Sequence, residues 1–239
     1  MPVNGMNKRA LVTGASSGIG LAISELLLKN NYEVTGISRR PGLHHENFTA
    51  LKLDLARSDD IEQVFKTSLR QKNFDCFIHA AGFGDFGSIE QFSGRQIERA
   101  IQVNLTSVLL LCRHLIPMFR RQKAGRIIFI GSESALNAGR KGALYSAAKF
   151  GLRGFSQALR EDCANDGILV SLLNPGMVRS PFFEDLTFAP GDQKENAIEP
   201  AQIAELVWHI LSSADNMVFD EVNLSPRVKT INFSTGRTK

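Results

Sequence analysis

Tyr145 and Lys149 stand four residues apart in a stretch, Ala143 to Ala164, whose spacing predicts a helix, so both side chains project from one face. A phenol is a poor acid or base near neutrality, with an ordinary pKa of about 10. A neighbouring ammonium favours the phenolate and draws that value toward the working range. Tyr-x-x-x-Lys recurs by chance, and alone it marks a structural tyrosine as readily as a catalytic one. Its weight comes from Ser132, which ends a predicted strand 13 residues earlier, and from there being only two tyrosines in the chain. Asn104 adds an independent sign. It takes the place between Ile101 and Val108 in an apolar stripe of Ile97, Ile101, Val108, Leu111 and Leu115. A buried amide there must find partners or cost stability, so Asn104 is either a satisfied core asparagine or part of the same site.

A second chemistry is written near the N-terminus, in Thr13-Gly14-Ala15-Ser16-Ser17-Gly18-Ile19-Gly20. The segment joins a predicted first strand to a predicted first helix. Glycines there let the backbone turn tightly against a pyrophosphate, and the helix N-terminus supplies N–H groups and positive dipole. A glycine triad is a weak sign alone and a stronger one in strand–turn–helix context. The second strand selects the dinucleotide. An NAD enzyme places a carboxylate at its end, whereas this one ends in Ser38-Arg39-Arg40. Arginine can grip a 2′-phosphate through paired hydrogen bonds, so the pattern predicts NADP(H), with solvated loop arginines as the bland alternative.

Elements that could position these residues alternate along the chain. Strands are predicted at Ala10 to Val12, Glu33 to Ile37, Leu51 to Leu53, Cys76 to Ile78, Ile127 to Ile130, Ile168 to Leu173 and Val218 to Leu224. Between them fall helices after the glycine turn and over Asp59 to Arg70, Ile97 to Leu115, Ala143 to Ala164 and Ala201 to Leu211. Short apolar strands alternating with helices predict one α/β domain over 1–239, a Rossmann-type doubly wound parallel sheet with helices on both faces. Two segments stand outside the alternation. Residues 181–196 are long for a connection and are predicted to form a substrate lid. Residues 225–239 form a basic, polar tail.

Bulk properties narrow the partners. The 239 residues are 43% hydrophobic and 22% charged, with net charge +4 and a pI of about 9.1. The basic residues are scattered, which argues against nucleic acid and suits a phosphorylated small molecule. Cys76, Cys112 and Cys163 lie far apart without a CxxC, and the five histidines form no HExxH, so no metal site is predicted. No continuous apolar run approaches the ~18 residues of a membrane span, and the N-terminus lacks an apolar signal core. A cytoplasmic protein is expected.

Taken together, these motifs resemble the short-chain dehydrogenase/reductase family over nearly the whole chain. Gly14, Gly18 and Gly20 match its TGxxxGxG turn, and Asp54-Leu55 its adenine-contacting pair. Asn104, Ser132, Tyr145 and Lys149 fall in the order of its catalytic tetrad, and Asn174-Pro175-Gly176-Met177-Val178-Arg179-Ser180 is similar to its PG motif. The resemblance implies that Tyr145 exchanges a proton with a carbonyl or alcohol and that Ser132 holds the substrate oxygen. Lys149 would bind the nicotinamide ribose and lower the tyrosine pKa, and Asn104 would hold a relay water. It also implies cofactor contacts from Gly14, Ser16, Ser17, Gly18, Ile19, Gly20, Ser38, Arg39, Arg40, Asp54, Leu55, Ala81 and Gly82. Asn104, Tyr145, Lys149, Pro175, Gly176, Val178 and Ser180 complete that set. A homo-oligomer built on the two long helices, a tetramer before a dimer, is the family expectation.

Three departures stand out. His79-Ala80-Ala81-Gly82 replaces the family's NNAG, Ser180 replaces a threonine, and Ser17 sits where some NADP-preferring members carry a basic residue. His79 reads as structural. The pocket is expected to draw on Ser134, Asn137, Arg140, Phe83 to Phe86, Phe182 and Phe183, with Arg140 either solvated or paired to a substrate carboxylate. Two rivals remain. A sugar-nucleotide epimerase needs a larger C-terminal region than this chain has. A non-catalytic NADP(H)-binding regulator or scaffold would bind cofactor and turn nothing over.

Overall fold

Runs of branched and aromatic residues form the strands, and most are too apolar to face water on either side, so they must be covered twice. The computed structural model describes residues 7–233. The strands are β1 (Arg9–Thr13), β2 (Glu33–Ser38), β3 (Phe48–Lys52), β4 (Cys76–His79), β5 (Gly125–Ile130), β6 (Ile168–Pro175), β7 (Phe188–Pro190), β8 (Glu221–Leu224) and β9 (Ile231–Phe233). Seven form one parallel sheet in the order β3-β2-β1-β4-β5-β6-β8. The helices are α1 (Gly18–Lys29), α2 (Ser58–Thr67), α3 (Gly94–Ile101), α4 (Ser107–Gln122), α5 (Ala143–Cys163) and α6 (Pro200–Ser212).

Alternation along each strand builds two cores. Leu11, Phe77, Ile127 and Phe129 pack with the α4 and α5 residues Leu111, Phe119 and Leu152. Ala10, Val12, Ile78 and Ile128 pack on the other face with Ile23 and Leu27 of α1 and Ile203 and Val207 of α6. The expected doubly wound sheet with helices on both faces is therefore what the chain forms. Strand order reverses at β1, where β2 and β3 lie to one side and β4 to the other. Such a reversal opens a crevice beyond the carboxyl ends of the strands, and Thr13 and His79 are register partners at its floor.

One long helix is less regular than its apolar stripe predicts. Residues Gly94–Gln122 are helical for 29 residues, but Gln102–Thr106 form a π turn between α3 and α4. Extra-wide turns of this kind are rare and gather at functional sites, and this one holds Asn104. By length and composition the same helix could cross a membrane. Its Val108, Leu111, Cys112, Leu115 and Phe119 are instead buried in the core.

The predicted lid is also more ordered than a loop. It contains single helical turns at Pro181–Phe183 and Lys194–Asn196 and the strand β7, which pairs antiparallel with β9. The Gly191 N–H donates to the Thr230 carbonyl at 2.9 Å and the Val228 N–H to the Glu195 carbonyl at 3.0 Å. Buried Asn196 donates through Nδ2 to Val228 O at 3.1 Å and to Thr230 Oγ1 at 3.2 Å. The stretch expected as a basic, polar tail thus straps the predicted lid segment down, at least as far as Phe233. Residues 234–239 of that stretch lie outside the described residues.

Candidate active site

Each residue of the predicted tetrad is delivered by a different local device. Ser132 follows the end of β5 with an extended backbone and caps the short turn Glu133–Ala135. Its Oγ accepts the Ser134 N–H at 3.1 Å, which leaves its own hydrogen free to donate elsewhere. Its backbone N–H is held by Asn174 Oδ1 at 3.3 Å. Asn174 Nδ2 in turn donates to Glu221 Oε1 and Asn223 Oδ1, each at 2.9 Å. A Cβ on Gly131 would stand 2.2 Å from Asn174 Oδ1, so the glycine is what admits this bracket. Asn174 was legible as part of a motif but not as the residue that fixes the serine.

Tyr145 and Lys149 lie on the buried face of α5, as their four-residue spacing requires. Lys149 Nζ donates to the Ile130 carbonyl at 3.1 Å and sits 5.7 Å from the centre of the Tyr145 ring. Burial pushes the Tyr145 phenol up to about 12, and the Ser132 hydroxyl beside it pulls the other way. Burial also lowers Lys149, to about 8. This differs from the expectation that Lys149 would bring the tyrosine down. Desolvation acts on both groups and is the larger effect on each.

Asn104 is buried and occupied. Its Oδ1 accepts the Phe83 N–H at 3.2 Å, and Nδ2 donates to the Phe83 and Ala100 carbonyls, each at 3.0 Å. It therefore clamps the loop after β4. The loop lies so close that a Cβ on Gly82 would be 2.8 Å from Oδ1 and 3.7 Å from Lys149 Nζ.

His79 fills the place of the usual asparagine at the end of β4. Thr13 Oγ1 accepts the N–H groups of Ala80 at 3.2 Å and Ala81 at 3.1 Å. Its own hydrogen therefore donates to His79 Nδ1, 3.0 Å away, which puts the ring proton on Nε2. That Nε2–H is buried and has no partner among the described residues. Burial first, then the nearby Lys149 charge, lowers the ring to about 3, so it stays neutral at physiological pH. The histidine ties β1 to β4 where the crevice opens and does not line the pocket.

The glycine turn has the geometry a pyrophosphate needs. Gly14 and Gly18 have φ of +70° and +53°, and a Cβ on Gly20 would lie 2.4 Å from the Gly14 carbonyl oxygen. No side chain caps the start of α1 at Ser17, and its first turn holds no acid. Its N–H groups and dipole are thus left for an anion. Ser180 stands against Gly18, whose Cβ would come within 3.3 Å of the serine Cβ. At the end of β2, Ser38 Oγ donates to the Arg40 carbonyl at 2.5 Å and folds the Ser38–Arg40 turn. Arg39 and Arg40 are exposed, and neither forms an ion pair among the described residues. Asp54 Oδ1 accepts the Ala56 N–H at 3.0 Å, and Leu55 is buried beside it.

Some of these residues meet in one cavity of about 170 Å³, whereas Asn104, His79, the three turn glycines, Ser38–Arg40, Asp54 and Leu55 do not line it. Ser132, Tyr145 and Lys149 line it together with Ile19, Gly82, Pro175, Gly176, Val178 and Ser180. Ser134, Phe86, Phe182 and Phe183 line it as expected, and Phe188 of β7 joins them. Asn137, Arg140 and Phe83 do not, so the suggested Arg140 contact with a substrate carboxylate finds no place in this cavity. The described residues hold no cluster of three His, Cys, Asp or Glu side chains that could bind a metal.

The sequence profile of the short chain dehydrogenase family matches residues 8–189. The chain belongs to this family. Among similar short-chain dehydrogenases, a probable short-chain type dehydrogenase/reductase of Helicobacter pylori is 30% identical over 196 residues, 78% of this chain and 70% of that one. An uncharacterized oxidoreductase of Staphylococcus aureus is 27% identical over 231 residues, 92% and 97% of the two chains. A short chain dehydrogenase family protein of Francisella tularensis superposes with a TM-score of 0.82 at 26% identity, covering 92% of this chain and 98% of that one. A 4-hydroxyisoleucine dehydrogenase in complex with NADH shares the fold, with a TM-score of 0.83 at 22% identity and coverage of 92% and 98%. This short-chain dehydrogenase is an oxidoreductase of that fold and family.

The buried histidine carries a pH signature. An exposed histidine protonates near 6.5, but His79 resists protonation down to about 3. Between those values the unfolded chain binds one more proton than the folded one. Stability therefore falls as pH drops through this window, by up to about 1.4 kcal/mol per pH unit from this group. His79→Asn should flatten the slope of chemical-denaturation free energy against pH between 6.5 and 3, relative to the unmodified protein. An unchanged slope would show that His79 is not held neutral.

Proposed function

We propose that the protein is an NADP(H)-dependent oxidoreductase that interconverts a small-molecule carbonyl compound and its alcohol. The observation that carries this reading is the convergence of Ser132, Tyr145 and Lys149 on one cavity that Ile19 of the glycine turn also lines. Nicotinamide, when bound, would supply a hydride to the carbonyl carbon, and the oxygen takes its proton from this chain to give the alcohol. Tyr145 gives its phenolic proton to the carbonyl oxygen, or takes it back in alcohol oxidation. Ser132, its lone pair occupied by Ser134, donates to the same oxygen as negative charge develops. Lys149 binds the ribose and shares its proton with Tyr145. Asn104 fixes the Gly82–Phe83 loop against Lys149, and the spare lone pair on Oδ1 is where a relay water toward Lys149 would bind.

On this reading Gly14, Ser16, Ser17, Gly18, Ile19 and Gly20 would hold the pyrophosphate, and Asp54, Leu55, Ala81 and Gly82 the adenine. The nicotinamide would lie against Pro175, Gly176, Val178 and Ser180. NADP(H) is favoured over NAD(H) by Ser38, Arg39 and Arg40, because no acid at the end of β2 repels a 2′-phosphate. Both dinucleotides occur on this fold, with NADP bound in ElxO and NADH in the 4-hydroxyisoleucine dehydrogenase. A homo-oligomer, a tetramer before a dimer, is favoured by Leu109 of α4 and Phe150 of α5. These large apolar side chains are left 38% and 43% exposed.

Tyr145→Phe should lower turnover by about 10²–10⁴-fold while NADPH still binds, because only the proton-transfer hydroxyl is lost. A variant that retains wild-type kcat would remove Tyr145 from the mechanism, and NADPH binding with no turnover of any carbonyl would favour the regulator. Arg39→Ala should weaken NADPH binding more than tenfold and leave NADH binding nearly unchanged, since a charge-assisted pair is worth roughly 1.5–3 kcal/mol. Equal affinity of the unmodified protein for the two cofactors would overturn the selectivity. Light scattering at micromolar concentration should give the mass of four copies, or of two, and a monomeric mass would contradict the assembly.

A further inference from the structure

Five aromatic rings form a closed circuit around the reacting end of the cavity. Tyr145 meets Phe86 at 5.3 Å, Phe86 meets Phe188 at 4.9 Å, and Phe188 meets Phe183 at 5.8 Å. Phe183 meets Phe182 at 5.1 Å, and Phe182 returns to Tyr145 at 5.8 Å. All five rings line the same cavity. They come from separate parts of the chain: the loop after β4, the turn Pro181–Phe183, β7 and α5. Gly84 makes room for two of them, since a Cβ there would lie 2.5 Å from the Phe86 ring and 2.6 Å from the Phe182 ring.

The two charged side chains that line the cavity already have partners in the protein. Lys149 Nζ is committed to the Ile130 carbonyl, and Glu133 is paired with Lys229 of the strap at 2.5 Å. Among the described residues no other acidic or basic side chain lines the cavity. A substrate carboxylate would meet the Glu133 charge and no unpaired guanidinium, and an apolar ring would meet π-faces and edges on several sides. On the reading that Tyr145 is the proton donor, we propose that the substrate is a neutral carbonyl compound with an aromatic ring next to the carbonyl carbon, or the matching arylcarbinol. Offset and edge-to-face contacts between rings favour an aromatic guest over a saturated one of equal size, by about two- to tenfold.

Two measurements test this. Calorimetry in the presence of NADP⁺ compares binding of benzyl alcohol with cyclohexylmethanol, and kcat/KM with NADPH compares benzaldehyde, cyclohexanecarbaldehyde and phenylglyoxylate. Benzyl alcohol should bind about two- to tenfold more tightly than its saturated partner, benzaldehyde should lead in kcat/KM, and the charged phenylglyoxylate should be the poorest substrate. Phe188→Leu and Phe86→Leu, on separate segments, should each move the aryl-to-cyclohexyl binding ratio toward one. Equal binding of the two alcohols, or a ratio unmoved in both variants, would overturn the proposal. Selective aryl binding without any NADPH consumption would uphold the aromatic pocket and overturn the catalytic reading instead.

Discussion

The desolvation of Lys149 and Tyr145 is the constraint on which the site depends. Two groups that water would keep as ammonium and phenol are buried on one face of α5, under a carbonyl from β5 and against aromatic rings. Burial lowers the amine to about 8 and raises the phenol to about 12, so both are biased toward their uncharged forms. Of the two, Lys149 gives up its proton first, and the phenol holds its own to higher pH. A charge introduced nearby acts through little water and changes the partition strongly.

The rest of the architecture serves to hold that pair against a cavity. Strand reversal at β1 opens the crevice, and Thr13 with neutral His79 ties its floor through backbone N–H groups of Ala80 and Ala81. The π turn presents Asn104 to Phe83 and so presses Gly82 toward Lys149. Asn174 brackets Ser132 from β6, and its other end is anchored on Glu221, which also pairs with Arg153 of α5 at 3.0 Å. Each support comes from a different strand or helix, which fixes the site on the rigid part of the fold.

Much of this could be read in advance, for definable reasons. Strands that are apolar throughout and helices with 3.6-residue stripes report burial directly, so the doubly wound sheet follows from patterning. The Tyr145–Lys149 spacing and the glycine turn were legible because helical geometry and backbone sterics act locally. What escaped was non-local. Nothing near Asn104 announces a π turn. The pairing of β7 with β9 joins segments more than 30 residues apart, each three residues long. The bracket from Asn174 to Ser132 spans 42 positions. Local spacing also suggested that the lysine would lower the tyrosine, because a helix face shows proximity but not the depth of burial.

The most direct test of the proton-pair account is the pH dependence of kcat/KM in both directions from pH 6 to 10, at saturating cofactor, in the unmodified enzyme and in Lys149→Met. Carbonyl reduction should be level below about 8 and fall above it, as Lys149 loses the proton with which it resupplies Tyr145. Alcohol oxidation should rise through the same value. In Lys149→Met the break should leave this range, because the remaining phenol is held up near 12 by burial. Profiles that stay flat to pH 10 in the unmodified enzyme, or a break near 8 that survives Lys149→Met, would contradict the claim that this buried pair carries the proton.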